Sequence, residues 1–269
     1  MKKVILVTGA SSGIGLATAS LLHKKGHTVY GVSRNIRQED VPFTGLKMDV
    51  ANAGEVAAVI AEIVNREHRI DVLINSAGFG MAGAVEEMAI ESMKAQFEVN
   101  FFGLLQVTQP VIGLMRKQGS GLIINISSIG GLMGLPFQGI YSASKFALEG
   151  LSEALRMELY PYHIEVKLII PGDINTSFTS NRKIAPGILA DDPYTGQFKT
   201  SLAQIEKDEK NGVSPERVAV KIERIIRKRK SRFRHIVSIP LQRLAVTLKR
   251  ILPYNRFEKM MKQHYKLTK

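Results

Sequence analysis

Val4-Ile5-Leu6-Val7 is an unbroken apolar run that stops at Thr8-Gly9, the pattern of a strand buried on both faces of a parallel sheet. From Gly13 to Lys25 the apolar residues Ile14, Ala17, Leu21 and Leu22 return at helical spacing, so the chain opens as strand, turn and helix. The alternation then repeats. Further strands are predicted at Thr28 to Val32, Leu46 to Met48, Val72 to Asn75, Gly121 to Ser127 and Glu165 to Ile170. Helices are predicted at Ala53 to Glu67, Glu91 to Gln118 and about Tyr141 to Leu159. This order implies an α/β fold, a doubly wound parallel sheet with right-handed crossovers and helices on both faces.

After Gly172 the pattern changes. Pro186, Gly187, Asp191-Asp192-Pro193 and Gly196, with an acidic and lysine-rich stretch from Glu206 to Lys210, read as a long loop over about 173–212. Such segments in compact domains are often lids, and this one is expected to decide the substrate. Ser214-Pro215-Glu216-Arg217 reads as an N-cap with proline at the first helical position, opening a helix to about Lys228. The expected organisation is a single domain over 1–235 and a basic helical extension over 236–269.

Composition narrows the chemistry. With 269 residues, 45% hydrophobic and 23% charged, the chain builds one substantial core, and disordered, collagenous and low-complexity classes are excluded. It has no Cys, which excludes disulfides, thiolate-bound zinc, iron–sulfur clusters and thiol catalysis. The six His are dispersed without an HExxH, so no metal site is expected. Met1-Lys2-Lys3 followed by an apolar run imitates an export signal, but the run stops after Val7, too short for one. No stretch of about 18 apolar residues is present either, so a cytoplasmic location is expected, with or without contact at a membrane surface.

Net charge is +13, unevenly placed: from Pro215 onward 17 Lys or Arg face three Glu, net +14, leaving 20 against 21 in residues 1–214. Leu241, Leu244, Ala245, Leu248, Ile251 and Leu252 form an apolar helical stripe among Arg243, Lys249 and Arg250, and Pro253-Tyr254 ends it. A cationic amphipathic helix of this kind either lies on an anionic membrane or packs on the domain with its cations solvated. Nucleic-acid binding is not expected, since no recognised binding module accompanies the charge.

Two elements carry chemistry. Gly9, Ser11, Ser12, Gly13, Ile14 and Gly15 join the first strand to the first helix, where glycines let a backbone approach a pyrophosphate and helix N–H groups bind the anion. In Tyr141-Ser142-Ala143-Ser144-Lys145, Tyr and Lys four apart share a helix face, so the ammonium is placed to lower the phenol pKa. Ser128 closes the preceding strand, at the sheet edge where ligands bind.

Together these motifs resemble the classical short-chain dehydrogenase/reductase family. The matches are TGASSGIG from Thr8, the Asp49-Val50 pair, Asn75-Ser76-Ala77-Gly78, Asn100, Ser128, YSASK from Tyr141, and Pro171-Gly172 with Thr176, in the family's order. Gly130-Gly131-Leu132-Met133-Gly134-Leu135-Pro136-Phe137 followed by YSASKFALEGL is similar to the branch holding 17β-hydroxysteroid dehydrogenase type 1 and retinol dehydrogenases.

The resemblance implies a Rossmann-type fold, a homodimer or homotetramer, and hydride transfer between a nicotinamide cofactor and a hydrophobic ketone or alcohol. It casts Tyr141 as general acid or base, Ser128 as hydrogen-bond partner of the substrate oxygen, Lys145 as ribose-binding residue lowering the Tyr141 pKa, and Asn100 as holder of a water beside Lys145. Asp49, Val50, Asn75, Ala77, Gly78, Pro171, Gly172 and Thr176 join the glycine loop, Tyr141 and Lys145 in binding the cofactor. Ser33 and Arg34 end the second strand where NAD enzymes carry an acidic residue, and a hydroxyl with a guanidinium suits the 2′-phosphate of NADP(H). The expected substrate is a steroid, retinoid or long-chain lipid ketone. The alternatives are a 3-oxoacyl reductase of fatty-acid type and a non-catalytic NADP sensor or membrane-bound interaction protein. Met81, Met133 and Phe137 read first as ordinary core, with a lining of the substrate pocket as the alternative.

Overall fold

The computed structural model describes residues 1–176, 182–185, 194–228 and 231–267. Its elements in chain order are β1 (Val4–Thr8), α1 (Gly13–Lys24), β2 (Thr28–Ser33), β3 (Thr44–Lys47), α2 (Ala53–Glu67), β4 (Val72–Asn75), β5 (Met81–Ala82), α3 (Ile90–Phe97), α4 (Leu104–Gln118), β6 (Gly121–Ile126), α5 (Gly139–Glu158), β7 (Ile164–Pro171), β8 (Lys183–Ile184), α6 (Thr195–Lys210), α7 (Pro215–Arg227), β9 (Arg234–Val237), α8 (Pro240–Ile251) and α9 (Tyr254–His264). Seven strands form one sheet in the order β3-β2-β1-β4-β6-β7-β9. Every neighbouring pair in it is parallel. The short strands β5 and β8 pair separately.

All residues of β1 and β4 are buried because helices cover both faces of the sheet, which is why these strands read as continuous apolar runs. One face packs Val56, Ile60 and Ile63 of α2 and Val107, Val111 and Met115 of α4 against Leu6, Leu73 and Ile123. The other packs Ala19 and Leu22 of α1 and Val218, Ile222 and Ile225 of α7 against Ile5, Ile74 and Ile124. Each fully buried Leu, Ile or Val contributes about 1.5–3 kcal/mol, so these layers fix the sheet edge that carries the site. The chain turns outward through β2 and β3 and returns at β4, leaving a crevice at the C-terminal ends of β1 and β4.

The structure departs from the sequence pattern in four places. β3 starts at Thr44 and ends before Met48, two residues ahead of the expected run. The helix expected over Glu91 to Gln118 is divided by a π-helical turn at Glu98–Gly103. The segment read as a loop contains the 16-residue helix α6. Its buried positions, Phe198, Ser201, Ile205 and Glu209, do have helical spacing, but two of the four are polar, so the periodicity is invisible to a hydrophobic pattern. Finally, Arg234–Val237 adds β9 to the sheet beside β7, so residue 235 lies inside a strand. A third apolar cluster joins Ile129, Met133, Leu168 and Ile170 to Val246 of α8 and Phe257 of α9.

Candidate active site

The crevice is a cleft of about 520 Å³ reached by the ends of β1, β2, β4, β6 and β7. At its floor Gly9 has φ +68°, and a Cβ there would stand 2.8 Å from the Ala77 Cα. A Cβ on Gly15 would stand 2.2 Å from the Gly9 carbonyl oxygen. These glycines let α1 begin directly against β1. Ser12, at the N-cap, makes no side-chain capping bond, which leaves first-turn N–H groups directed at the cleft. Gly15→Ala is therefore expected to cost about 3 kcal/mol by overpacking. Gly113→Ala, inside α4 with nothing within 4 Å, is expected to gain about 0.5–1 kcal/mol in urea denaturation.

Thr8 Oγ1 accepts hydrogen bonds from the Ser76 and Ala77 N–H groups at 3.0 and 3.1 Å, tying the end of β1 to the end of β4. The expected residues Ser11, Gly13, Ile14, Ser33, Arg34, Asp49, Val50, Ala77, Gly78, Pro171, Gly172 and Thr176 all line the cleft. Asp49 does not cap α2, because Asn52 Oδ1 accepts from the Gly54 and Glu55 N–H groups instead. No carboxylate follows Ser33 at the end of β2, where the exposed Arg34 enters no ion pair among the described residues. The Ser33 hydroxyl is buried without a hydrogen-bond partner, an orphan that a ligand oxygen would satisfy. Glycine floor, open helix terminus and orphaned hydroxyl fit a nicotinamide dinucleotide.

One expectation for this wall is corrected. Asn75 does not line the cleft: its Nδ2 donates to Thr108 Oγ1 and Asn125 Oδ1, both at 2.9 Å, inside the core. Asn125 in turn donates to Ser152 Oγ, so Asn75 ties β4 to α4, β6 and α5. Ser76, the next residue, lines the cleft in its place. Met81, Met133 and Phe137 sit in three separate core clusters, the first of their two readings.

Tyr141 and Lys145 project from α5 toward Ser128, which caps the turn after β6 by accepting the Gly130 N–H at 3.0 Å. Tyr141 is buried, and this burial pushes its phenol up to about 12 against the lowering effect of a hydrogen bond with Ser128. The Lys145 ammonium lies 5.9 Å from the centre of the Tyr141 ring and donates to the Ile126 carbonyl at 2.9 Å. Burial lowers Lys145 to about 8, partly offset by Glu149. Desolvation is the largest influence on the phenol, and the Ser128 hydrogen bond is the first opposing one. Asn100 lies in the π-helical turn, where its Oδ1 accepts from the Phe79 N–H at 3.0 Å and its Nδ2 donates to the Phe79 carbonyl at 3.1 Å. It also reaches Ser144 Oγ at 3.3 Å, so Asn100 ties the segment after β4 to α5.

The cleft shared with Tyr141 has a further lining that the motifs do not contain. Asp173, Asp208 and Glu209 line the cleft with Ile205 and Tyr265. Phe198 seats α6 over the site, its ring packing on that of Phe137 with centroids 5.4 Å apart. Arg182 pairs with Glu209, while its Nε and Nη1 are buried without partners. Gln242 of α8 donates to Asp173. Asp208 accepts from Gln204 at 2.9 Å and faces His264 at the same distance. Burial, then Glu209 and Asp208, push Asp173 up to about 7. Asp173 and Glu209 also act on the Tyr141 phenol, which places the carboxylates within electrostatic reach of the reacting position. The only hints in the sequence are the polar stretch after Pro171-Gly172 and the charged run near Glu206; nothing marks Tyr265.

The family model for short chain dehydrogenases matches residues 3–186. A 3-ketodihydrosphingosine reductase of Bacteroides thetaiotaomicron is 43% identical over 263 residues, covering 98% of each chain. The 17-beta-hydroxysteroid dehydrogenase type 1 of Homo sapiens is 35% identical over 66% of this chain and 58% of its own length. Among solved structures, an actinorhodin polyketide ketoreductase with NADPH superposes with a TM-score of 0.69 at 32% identity, covering 84% of this chain and 90% of that one.

Proposed function

This chain belongs to the short-chain dehydrogenase family, and from that premise we propose that it is an NADP(H)-dependent reductase of long-chain ketones bearing an amino group beside the carbonyl. The observation that carries the reading is the cluster of Asp173, Asp208 and Glu209, which lines the cleft with Tyr141 and Lys183; Arg182 pairs with Glu209, His264 faces Asp208, and Asp173 is held by the neutral Gln242. An α-amino ketone in its ammonium form supplies a positive charge for Asp173, whereas a steroid or retinoid supplies none and a 3-oxoacyl thioester none beside its ketone. The 3-ketodihydrosphingosine named for the 43% identical relative is an amino ketone of this kind.

The chemistry follows from the side chains. A nicotinamide, when bound, supplies the hydride that no side chain can. Tyr141, protonated throughout the neutral range, donates a hydrogen bond to the substrate carbonyl oxygen and then its proton as negative charge develops there. Ser128 holds the same oxygen and stabilises that charge. Lys145, locked by the Ile126 carbonyl, retains N–H donors for the ribose and keeps a cation near the phenolate left behind.

Ser33 and Arg34 support NADP(H) over NAD, since a hydroxyl and a guanidinium match a phosphate and no carboxylate opposes it. The test is NADPH oxidation with 3-ketodihydrosphingosine, its N-acetyl derivative, a steroid ketone and a 3-oxoacyl thioester. Turnover is expected with the free amine and to fall at least about tenfold on acetylation, the loss of one charge-assisted contact. Arg34→Ala is expected to lower NADPH affinity roughly tenfold and leave NADH affinity unchanged. Equal rates for amine and acetamide would overturn the substrate assignment, and equal loss for both cofactors the cofactor assignment.

A further inference from the structure

The C-terminal helices have two apolar faces, and only one is used by the fold. The inner face of α8 packs Ala245, Val246, Leu248 and Leu252 into the cluster beneath it. Lys249 pins that face by donating to the Leu132 carbonyl at 2.7 Å. On the outer face, Leu241, Leu244 and Ile251 are 63, 52 and 69% exposed, and Tyr254 at the start of α9 is 70% exposed. At about 100° per residue the first three fall within an arc of roughly 80°, a continuous ridge. Arg243 and Arg250 are exposed along its border. Residues 240–267 contain seven Lys or Arg and one acid, Glu258, which is paired with Lys262.

We infer that this ridge docks the enzyme on an anionic lipid bilayer, with Leu241, Leu244, Ile251 and Tyr254 entering the interface and the arginines facing lipid phosphates. A second copy of the chain is a poor occupant: a two-fold contact would set two strongly cationic surfaces against each other. A bilayer supplies both the apolar layer and the negative charge, and four exposed apolar side chains bordered by cations match the depth at which interfacial helices lie. Among the described residues no helix is long and apolar enough to cross a membrane. The same elements border the cleft, because Gln242 of α8 holds Asp173, and Tyr265, just beyond α9, lines the cavity. An apolar substrate leaving the bilayer thus meets the helices that wall its pocket. The inference stands on the ridge and its charge, independent of which ketone is reduced.

The test is co-sedimentation of the full chain with vesicles of phosphatidylglycerol and phosphatidylcholine, and with phosphatidylcholine alone. Binding to the anionic vesicles is expected at about 50 mM salt, with at least a tenfold loss at about 500 mM or on neutral vesicles. Leu241→Glu/Leu244→Glu/Ile251→Glu is expected to abolish sedimentation while keeping the wild-type Tm and NADPH affinity. Arg243→Gln/Arg250→Gln, which leaves the apolar ridge intact, is expected to weaken binding severalfold. Failure of the wild type to sediment, wild-type binding by the triple variant, or a ridge-dependent change of oligomeric state by light scattering would each overturn the inference; the last would assign the ridge to a second copy.

Discussion

Tyr141→Phe is expected to lower kcat for ketone reduction about a thousandfold or more while leaving NADPH affinity within about twofold of wild type. In the proposed reading the phenol is the proton donor; it is buried, and its hydroxyl is the only group the substitution removes. The ring remains in place beside Lys145, so the cofactor wall is preserved. Stopped-flow binding and steady-state turnover separate the two effects. Retention of more than about a tenth of wild-type turnover would move the proton donor elsewhere. The pH profile gives a second reading of the same arrangement. With Tyr141 at about 12 and Lys145 at about 8, the donor is protonated across the neutral range, but the ammonium is lost as pH rises past 8. Reduction is expected to be flat near neutrality and to fall above about pH 8.

Asp173→Asn is expected to raise KM for the amino ketone about a hundredfold and to change KM for the N-acetyl derivative little. Asparagine can still accept the Gln242 hydrogen bond through its carbonyl, so the substitution removes charge rather than the wall. The same variant changes stability with a sign that can be worked out. The folded-state value of about 7 lies above the ordinary 3.8, so the stabilisation belongs to the protonated carboxyl. It is complete below about pH 4 and is lost as pH rises through 7, at most about 4 kcal/mol at 1.4 kcal/mol per pH unit. Ligand-free wild type should therefore lose Tm between pH 5 and 8 relative to Asp173→Asn, and the amine should restore it. Equal KM changes for amine and acetamide would remove Asp173 from substrate recognition; a higher Tm for wild type at pH 8 would contradict the burial argument. The carboxylate that recognises the cation is in this reading a destabilising group, a frequent trade at binding sites.

The short motifs were legible because their geometry is local. Gly9 and Gly15 are required by contacts between the first strand and first helix, and Tyr141 and Lys145 share a face because they are four apart on one helix. Asn75 misled for the opposite reason: its neighbours in sequence reach the cleft, but β alternation turns its own side chain into the core toward Thr108 and Asn125. Spacing gives the proximity of Tyr141 and Lys145 but not the desolvation of the phenol, which depends on what α5 packs against.

The sequence by itself determined the parallel α/β sheet, the glycine turn, the Ser128, Tyr141 and Lys145 set, and the cationic stripe at the C-terminal end. Those features are written in periodicity, short spacing and charge. Only the tertiary structure decided what gathers at the cleft of the tyrosine. Asp173, Asp208, Glu209, Arg182 and Tyr265 are scattered over more than ninety positions and carry no shared spacing; they meet because α6 folds over the sheet edge and α8 and α9 pack against β7. The same packing divided the apolar stripe, half-burying Ala245, Leu248 and Leu252 and leaving Leu241, Leu244 and Ile251 in the open. A hydrophobic pattern counts apolar residues around a helix, but which of them are covered depends on the surface the helix meets.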